Sequence, residues 1–281
     1  MQIKFLGSGS AFVTQKENYQ SNILITKTFE EMTIPGNSHN SMFKTEIKKV
    51  TKNLLIDAGD HINDSLDHYN YSVKDINSIF ITHAHGDHCH GLEFLGFKTY
   101  FNPEKQTKPI LFGNTKLIDT IWNNVLKGTM SSINGKRVNL DEYFDVKSLK
   151  PRDSFTFMKT KFTPVKVPHV IDDLEEVPAY GLKFEENKVK VFISGDTMFD
   201  YDWLSPYWKW ANVIFQDCEF KEYPNGVHAQ FHELIKLPYE YRKKMWLYHY
   251  ILDGVTFKEL EAKVLKAGFA GLIKRGQSFE I

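Results

Sequence analysis

The 281-residue chain has few cysteines, no excess charge of either sign and no long apolar run. Two cysteines, Cys89 and Cys218, are too few for the disulfide framework of a small secreted domain, so we expect reduced thiols and a cytoplasmic location. The first residues show no basic leader followed by a hydrophobic stretch. No apolar stretch approaches the ~20 residues that a membrane helix needs. These absences argue against a secreted protein and against a membrane protein.

The balance of positive and negative charge indicates which kind of binding partner to expect. Lysine and arginine together number 35, and aspartate and glutamate also number 35. Proteins that bind long nucleic acids usually carry a basic excess, because phosphate neutralisation supplies much of their affinity. A long RNA or DNA partner is therefore not expected. The composition, 42% hydrophobic and 25% charged, is that of a folded globular protein. Since no Pro- or Ser-rich linker divides the chain, we predict one domain over residues 1–281.

Apolar runs and turn residues follow a similar order in the two halves of the chain. In the first half, the patterns predict strands at residues 3–6, 21–26, 53–56, 78–81 and 111–112, and helices at 61–69 and 115–126. In the second half, they predict strands at 155–158, 162–167, 180–184, 189–194, 213–216 and 245–248, and helices at 203–210, 238–243 and 257–266. Strands followed by helices, twice, favour an α/β fold with two packed sheets and helices outside, an αββα sandwich.

Two polar segments lack a clear periodicity. Residues 28–50 contain Pro35, Gly36, Asn37 and Ser38, and we predict a long hairpin loop there, whose role as a lid or a dimer element stays open. Residues 129–150 mix polar residues with short apolar runs and receive no assignment.

The strongest chemical signal is a cluster directly after the predicted strand at residues 78–81. It reads His83-x-His85-x-Asp87-His88. Residues two apart in an extended segment point the same way, so His83 and His85 can present imidazoles to one metal ion. A sharp turn at the intervening glycine then directs Asp87 and His88 toward a second position. Imidazole together with carboxylate suits zinc, and also manganese or iron. The alternative to metal ligation is a chance cluster of surface histidines. Three His and one Asp within six positions, directly after an apolar strand, argue against it.

Further ionisable residues occur at the ends of predicted strands. Asp57 follows one strand and can orient a ligand histidine, although it can also begin the next helix as an N-cap. His169, Asp196 and His249 follow later strands. Each of the three alone can be an ordinary loop or turn residue. Their recurrence at strand ends, in this order after the histidine cluster, favours metal ligation.

Three other histidines lie near these segments. His228 lies in a loop before a short predicted helix, and we assign it as the candidate proton donor. His232 is expected on the solvated side of that helix. His90 follows the histidine cluster and is interpreted as a bystander near the entrance of the site.

Together these residues resemble the metallo-β-lactamase superfamily along the whole chain. The shared order is a strand-end Asp, the H-x-H-x-D-H element, a His, an Asp and a final His. The resemblance implies an αββα sandwich with two zinc ions at one edge. The implied ligands are His83, His85 and His169 for the first zinc, Asp87, His88 and His249 for the second, and Asp196 as a bridge between them.

Several features narrow the branch within the superfamily. An Asp at position 196 resembles the phosphodiesterase, ribonuclease Z and glyoxalase II branches, because many true β-lactamases carry Cys there. Residues 5–10 and the segment around His228 resemble ribonuclease Z, but His228-Ala229-Gln230 keeps only part of its His-Ser-Thr motif. No Gly/Pro/Lys-rich RNA-gripping arm is seen. Residues 226–228 and 246–250 are similar to ribonuclease Z-like cyclic-nucleotide phosphodiesterases, including phage anti-Pycsar proteins, which implies a homodimer that linearises small cyclic nucleotides.

The leading hypothesis is a two-zinc phosphodiesterase that opens 3′,5′-cyclic nucleotides. In it, a hydroxide bridging the metals attacks phosphorus, and His228 protonates the leaving oxygen. Asp87 and Asp57 are the other residues assigned to catalysis. Two alternatives remain: a ribonuclease Z-like RNA endonuclease, and a non-catalytic metal-dependent nucleotide binder. The expected partners are a small nucleotide and a second copy of the chain, with no membrane.

Overall fold

The computed structural model describes residues 1–14, 18–33, 46–102, 104, 107–170, 177–221 and 226–281. In chain order its strands are β1 (Gln2–Phe5), β2 (Ile23–Thr33), β3 (Glu46–Ile56), β4 (Ser78–Phe80), β5 (Ile110–Asn114), β6 (Ser132–Ile133), β7 (Lys136–Arg137), β8 (Asp145–Leu149), β9 (Phe155–Phe157), β10 (Thr160–Lys166), β11 (Tyr180–Glu186), β12 (Val189–Ile193), β13 (Val213–Asp217), β14 (Met245–Tyr248), β15 (Gly271–Leu272) and β16 (Ser278–Glu280).

Helices connect these strands. They are α1 (Ile62–His68), α2 (Gly86–Cys89), α3 (Gly91–Tyr100), α4 (Thr115–Thr120), α5 (Lys127–Met130), α6 (Tyr201–Trp210), α7 (Phe231–Leu234), α8 (Tyr239–Arg242) and α9 (Phe257–Lys266). Short 3₁₀ turns occupy Val73–Asp75 and Leu140–Glu142, and a π-helical segment, Ile121–Leu126, joins α4 to α5. No helix within the described ranges is long and apolar enough to cross a membrane.

The strands form two large sheets. The first has the order β16-β1-β2-β3-β4-β5-β8, and the second β15-β14-β13-β12-β11-β10-β9. Strands β3, β4, β5 and β8 are parallel neighbours, as are β12, β13, β14 and β15. Parallel strands bring their carboxyl ends to one edge of a sheet, which is where open α/β sheets place their sites.

The side chains of β3 alternate between two apolar layers. Leu54 and Ile56 pack into the core between the sheets, whereas Leu55 packs against the helices of the first half. The second sheet also has a separate apolar layer with α6, α7, α8 and α9 on its other face. Three apolar layers between four layers of secondary structure make an αββα sandwich, so the predicted fold is confirmed.

Stacked aromatic rings cross the sandwich interior. The Phe155 ring of the second sheet lies 4.2 Å from that of Phe112 and 5.5 Å from that of Phe80, both of the first sheet. On its own sheet, Phe155 stacks on Phe162 at 5.4 Å. Offset stacks of this kind add to the apolar burial that joins the two halves.

Most predicted elements are present within a few residues of their expected bounds. The loop prediction for residues 28–50 is wrong at both of its ends, because β2 and β3 continue through residues 28–33 and 46–50 as a paired ribbon. Opposite charges face each other there, with Glu30 opposite Lys49 and Glu31 opposite Lys48. Such a ribbon has no buried face to impose an apolar alternation, so its sequence resembles a loop. Residues 34–45, including Pro35 and its neighbours, lie outside the described residues.

Some elements were not predicted. The unassigned segment 129–150 contains the hairpin β6–β7, a 3₁₀ turn and β8, a sheet-edge strand with little buried surface. Helix α3 and the terminal strands β15 and β16 were also missed. Cys89 and Cys218 are buried free thiols, as expected.

Candidate metal centre

Histidines and carboxylates from both sheets converge at the carboxyl ends of the strands. Asp57 follows β3 and His83 lies just beyond β4 in the first sheet. In the second sheet, His169 follows β10, Asp196 follows β12 and His249 follows β14. The seven predicted metal ligands therefore meet at one rim of the sandwich, where they form two groups of donor atoms.

The first group contains His83, His85, His169 and Asp196. Nδ1 of His85 lies 3.0 Å from Nε2 of His83 and 3.2 Å from Nε2 of His169. Oδ2 of Asp196 lies 3.7 Å from Nε2 of His83. His85 is exposed whereas the other three are buried, so the group opens to solvent on the side of His85.

The second group contains Asp87, His88, His249 and, again, Asp196. Nε2 of His88 lies 3.1 Å from Oδ2 of Asp87 and 3.2 Å from Oδ2 of Asp196. Nε2 of His249 lies 3.4 Å and 3.3 Å from the same two oxygens. Asp196 is thus the member common to both groups, the location that the resemblance implies for a bridging carboxylate.

Hydrogen bonds to the outer ring nitrogens fix which nitrogen of each imidazole faces inward. Nδ1 of His169 lies 2.7 Å from the carbonyl oxygen of Val227, which can only accept, so this nitrogen carries the proton. Nδ1 of His88 is likewise 2.7 Å from Oδ2 of Asp57. In His169 the inward Nε2 is left with its lone pair. Burial alone would lower the pKa of His88, but Asp196 and Asp87 raise it well above its usual value, so a metal ion at its Nε2 would replace a proton. This arrangement, with the far nitrogen held by a carbonyl or carboxylate, is typical of metal-bound histidine.

His83 is held in the same way through Thr82. The Thr82 hydroxyl donates to Asp57, with its Oγ1 2.8 Å from Oδ2, and so accepts a hydrogen bond from Nδ1 of His83 at 3.0 Å. Asp57 therefore supports both His83, through Thr82, and His88 directly. The alternative role for Asp57 as a helix N-cap is not observed, because His61 occupies that position before α1.

The donor atoms fit a metal and are poorly satisfied without one. Oδ1 of Asp196 is buried and has no hydrogen-bond partner among the described residues. Buried polar atoms without partners are costly, and converging nitrogen lone pairs repel one another. Divalent cations at the two groups would relieve both problems. Imidazole nitrogen and carboxylate oxygen are donors that zinc accepts, and manganese or iron also bind them.

Burial keeps the first group of histidines neutral. It lowers the pKa of His83 well below its usual value and that of His169 to about 4. A metal ion binds the neutral imidazole, so these two residues do not need to lose a proton at neutral pH before binding it.

The second group carries a surplus of negative charge. Burial alone would raise the pKa of Asp196, but His249 and His88 lower it well below its usual value. Burial alone would lower the pKa of His249, yet Asp196 and Asp217 raise it to about 10. The carboxylates therefore attract positive charge into this position, supplied by protons in the metal-free protein.

Two residues of the site have left-handed backbone conformations. Asp57 and His249 each have a φ of 64° although neither is glycine. Non-glycine residues in this region are uncommon and concentrate at functional sites. Next to Asp57, Gly59 is required for a different reason, since a Cβ atom there would collide with the carbonyl oxygen of Asp87.

Asp217 is a member of the site that the sequence interpretation missed. Its Oδ2 lies 2.8 Å from Nδ1 of His228, and its Oδ1 lies 3.3 Å from Nδ1 of His249. Asp217 is the last residue of the apolar strand β13. The signal that identified Asp57 and Asp196, a carboxylate at a strand end, was therefore present here too.

His228 forms a third group of possible donor atoms with Asp196, Asp217 and His249. Its ring centroid lies 4.8 Å from that of His249 and 5.2 Å from that of His169. Its pKa is lowered by burial but raised more by Asp217, so the net shift is upward. His90 and His232 lie outside the donor groups: His90 is exposed and pairs with Asp60 at 3.1 Å, and His232 is exposed on α7.

The fold and the chain as a whole match known proteins. The metallo-β-lactamase fold protein YhfI from Bacillus subtilis superposes with a TM-score of 0.68 at 16% identity, covering 99% of both chains. The anti-Pycsar protein Apyc1 of Paenibacillus harenae is 28% identical over the full length of both chains. That of Bacillus phage BSP38 is 30% identical over 96% of this chain and 95% of its own.

The sequence profile described as Anti-Pycsar protein Apyc1 matches residues 32–279. This range includes every residue of the two donor groups as well as Asp57, Asp217 and His228. The chain thus has the metallo-β-lactamase fold and belongs to the anti-Pycsar Apyc1 family.

Proposed function

We propose that this chain is a two-zinc phosphodiesterase that opens small 3′,5′-cyclic nucleotides. The observation that carries the proposal is the pair of donor groups that share Asp196. Adjacent metal positions joined by one carboxylate are the arrangement that phosphodiester hydrolysis uses, because both the attacking and the leaving oxygen need stabilisation. The cyclic-nucleotide substrate is supported by family membership and by the resemblance of residues 226–228 and 246–250.

The residues of the site have separate roles in the proposed reaction. His83, His85 and His169 would hold the first zinc, Asp87, His88 and His249 the second, with Asp196 between them. When bound, zinc supplies Lewis acidity and lowers the pKa of water to about 7. Asp57 orients His88 directly and His83 through Thr82.

His228 is the proposed general acid. Its Nδ1 is held by Asp217, which leaves Nε2 as the atom able to give a proton to the leaving oxygen. Burial alone would lower the pKa of His228, but Asp217 raises it above its usual value, which favours the protonated form that an acid needs.

A substrate screen tests the proposal. Zinc-loaded protein is assayed on cyclic mononucleotides, cyclic dinucleotides and precursor tRNA, alongside His85→Ala and the matched control His232→Ala. We expect opening of a cyclic mononucleotide by wild type and by the control. Loss in His85→Ala should exceed the ~10–100-fold that follows removal of a ligand's hydrogen-bond partner. Cleavage of tRNA alone, or nucleotide binding without turnover, would refute the proposal.

We also propose a homodimer, which the family resemblance supports, and a cytoplasmic location, which the two free cysteines support. Light scattering coupled to gel filtration tests the assembly state, and a monomer at micromolar concentration would refute it.

A further inference from the structure

One large cavity of the molecule contains no residue of the metal centre. Its volume is about 750 Å³, and its lining comes from the start of α4, the turn after β8, the strands β10 and β11, and α6. None of the donor residues lines it, nor does Asp57, Asp217 or His228. Small-molecule sites usually enclose about 300–1,000 Å³, so this cavity has the size of a separate ligand site.

The cavity concentrates positive charge. Four cationic side chains line it: Lys116, Arg152, Lys166 and Lys183. None of the described residues that line it is acidic. The chain as a whole has 35 cationic and 35 acidic residues, so this excess is local and does not reflect the composition. A concave surface lined by one sign of charge raises the local concentration of the opposite ion, and we call it the basic cavity.

The fold brings these cations together from distant parts of the chain. Lys116 lies in the first turn of α4 and Arg152 in the turn after β8, both in the half that carries the first sheet. Lys166 and Lys183 lie on β10 and β11 of the second sheet. The pairing of β9 with β10 covers residues 160–162, and β10 continues beyond it into the wall of the cavity. The basic cavity is therefore built where the two halves of the sandwich meet.

Two of the four cations are held in position by the fold. Nζ of Lys183 lies 5.7 Å from the centroid of the Tyr207 ring and 5.3 Å from that of the Trp210 ring. Such contacts restrain an ammonium group without neutralising its charge. Arg152 has a φ of 73°, a conformation that glycine adopts at lower cost and that is found at functional sites. Neither cation forms an ion pair with a described residue, so both charges can act on an anion.

The neutral part of the lining suits the rest of an organic phosphate. Asn114 and Thr163 add polar side chains. The rings of Tyr180 and Tyr207, together with Pro164, add an apolar wall. A guanidinium binds phosphate through two parallel hydrogen bonds and an ammonium binds it as a point charge, whereas aromatic rings stack on planar heterocycles. The lining thus combines groups for a phosphate chain with a surface for an attached ring.

We propose that the basic cavity is a binding site for a small polyphosphate anion, either free or carried on a nucleoside. A terminal phosphate carries a charge of about −1.5 to −2 at neutral pH, so a chain of phosphates provides several negative charges for the four cations. The site goes beyond the proposed function, because neither the metal centre nor cleavage of a phosphodiester enters the argument.

Methyl NMR locates the anion. Zinc-loaded, full-length protein with labelled Val methyls is titrated with inorganic tripolyphosphate and, separately, with adenosine triphosphate. We expect both probes to shift the methyls of Val165, which line the basic cavity. A lower Kd for the nucleotide assigns the nucleoside-borne chain, and equal Kd values assign the free chain. Val227 reports on the metal centre, because its carbonyl oxygen contacts His169. No shift at Val165, or shifts confined to Val227, would overturn the site.

Charge-removing variants test the cations. Arg152→Gln and Lys183→Gln should each raise the Kd for tripolyphosphate at least about 10-fold, the loss of one hydrogen bond to a charged group. The matched control is Lys161→Gln, which removes an exposed cation of β10 that does not line the cavity. His85→Ala, which alters the metal centre, is the second control, and both should keep the wild-type Kd.

Two outcomes of this comparison would overturn the site. The first is a wild-type Kd in Arg152→Gln, a variant that should fold even if Lys183→Gln does not, because Arg152 is exposed. The second is an equal weakening in Lys161→Gln, which would show attraction to the general surface charge. Loss of binding in His85→Ala would show that the anion binds the metal centre instead.

The chain's own acidic residues provide the last control. Residues 172–176 contain four of them and lie outside the described residues. A variant with these four acids changed to amides should bind tripolyphosphate at least as tightly as the wild type does. If the variant binds the probe and the wild type does not, the chain's own acidic stretch is the partner of the cavity, and the proposed ligand is wrong.

Discussion

Asp217 contacts two histidines through its two carboxylate oxygens. Oδ2 lies 2.8 Å from Nδ1 of His228, and Oδ1 lies 3.3 Å from Nδ1 of His249. The backbone amide of Thr197 also donates to Oδ2 at 2.9 Å, which fixes the carboxylate. One buried carboxylate therefore orients the proposed acid by a hydrogen bond and lies within ion-pair distance of a predicted metal ligand.

Replacement of Asp217 should affect both histidines. In Asp217→Asn the amide has a single accepting oxygen and no charge, so either His228 or His249 loses its carboxylate contact. We expect kcat to fall about 10–100-fold and the affinity for the metal at His249 to weaken. Steady-state kinetics at saturating zinc and metal titration of the apoprotein measure the two effects.

The matched control is Asp60→Asn, which changes an exposed carboxylate that pairs with His90 at 3.1 Å outside the donor groups. It should leave both quantities at wild-type values. Wild-type kcat in Asp217→Asn would contradict the proposed orienting role.

The loss of activity on removal of His228 should depend on the leaving group of the substrate. An alkoxide needs a proton to depart, whereas p-nitrophenolate departs without one. His228→Ala should therefore lower kcat on a cyclic nucleotide by about 10²–10⁴-fold and have a much smaller effect on a p-nitrophenyl phosphodiester. Zinc content should be unchanged, since His228 is not among the predicted ligands. Equal losses on the two substrates would show that His228 does not act as an acid.

Ligands that lie close together in the sequence could be predicted more directly than ligands that come from distant strands. His83, His85, Asp87 and His88 lie within six positions after one strand, so spacing alone brings them together. His169 and His249 come from distant strands, and only their strand-end locations and their order in the chain placed them in the site. The two donor groups form only when the two sheets pack against each other, and no local sequence pattern predicts that packing.

Asp217 illustrates which part of the site the sequence did not reveal. Asp217 follows an apolar strand like Asp57 and Asp196, but no sequence-adjacent metal ligand drew attention to it. The paired ribbon of β2 and β3 was missed for a related reason, since its polar strands bury no face.

Metal removal should destabilise the protein. A ligand that binds only the folded state at about 100 times its Kd contributes ~2.7 kcal/mol to the free energy of unfolding. For a chain of this size that corresponds to a rise in Tm of several degrees. We expect a chelator to lower Tm, zinc to restore it, and the zinc-dependent shift to be largely lost in His83→Ala, while His232→Ala keeps it. Differential scanning calorimetry provides the measurement, and a Tm indifferent to chelator and zinc would contradict a resident metal.

Gly59 should be essential because it lets the loop after Asp57 pass close to α2, which carries Asp87. The loop after Asp57 passes so close to α2 that a Cβ atom at position 59 would collide with the Asp87 carbonyl oxygen. Gly59→Ala should therefore lower the free energy of unfolding by about 1–3 kcal/mol and displace Asp87 from the second donor group. The expected signs are a lower denaturation midpoint and weaker binding of the second zinc equivalent.

Gly128 in α5 is the matched control, because nothing lies within 4 Å of a Cβ atom built there. Alanine is the better helix former by about 0.5–1 kcal/mol, so Gly128→Ala should leave metal binding intact and raise the denaturation midpoint slightly. The two variants make the same chemical change, so a difference between them isolates the backbone contact with Asp87. If Gly59→Ala behaves like Gly128→Ala, the segments have room to separate, and the second donor group does not depend on their close approach.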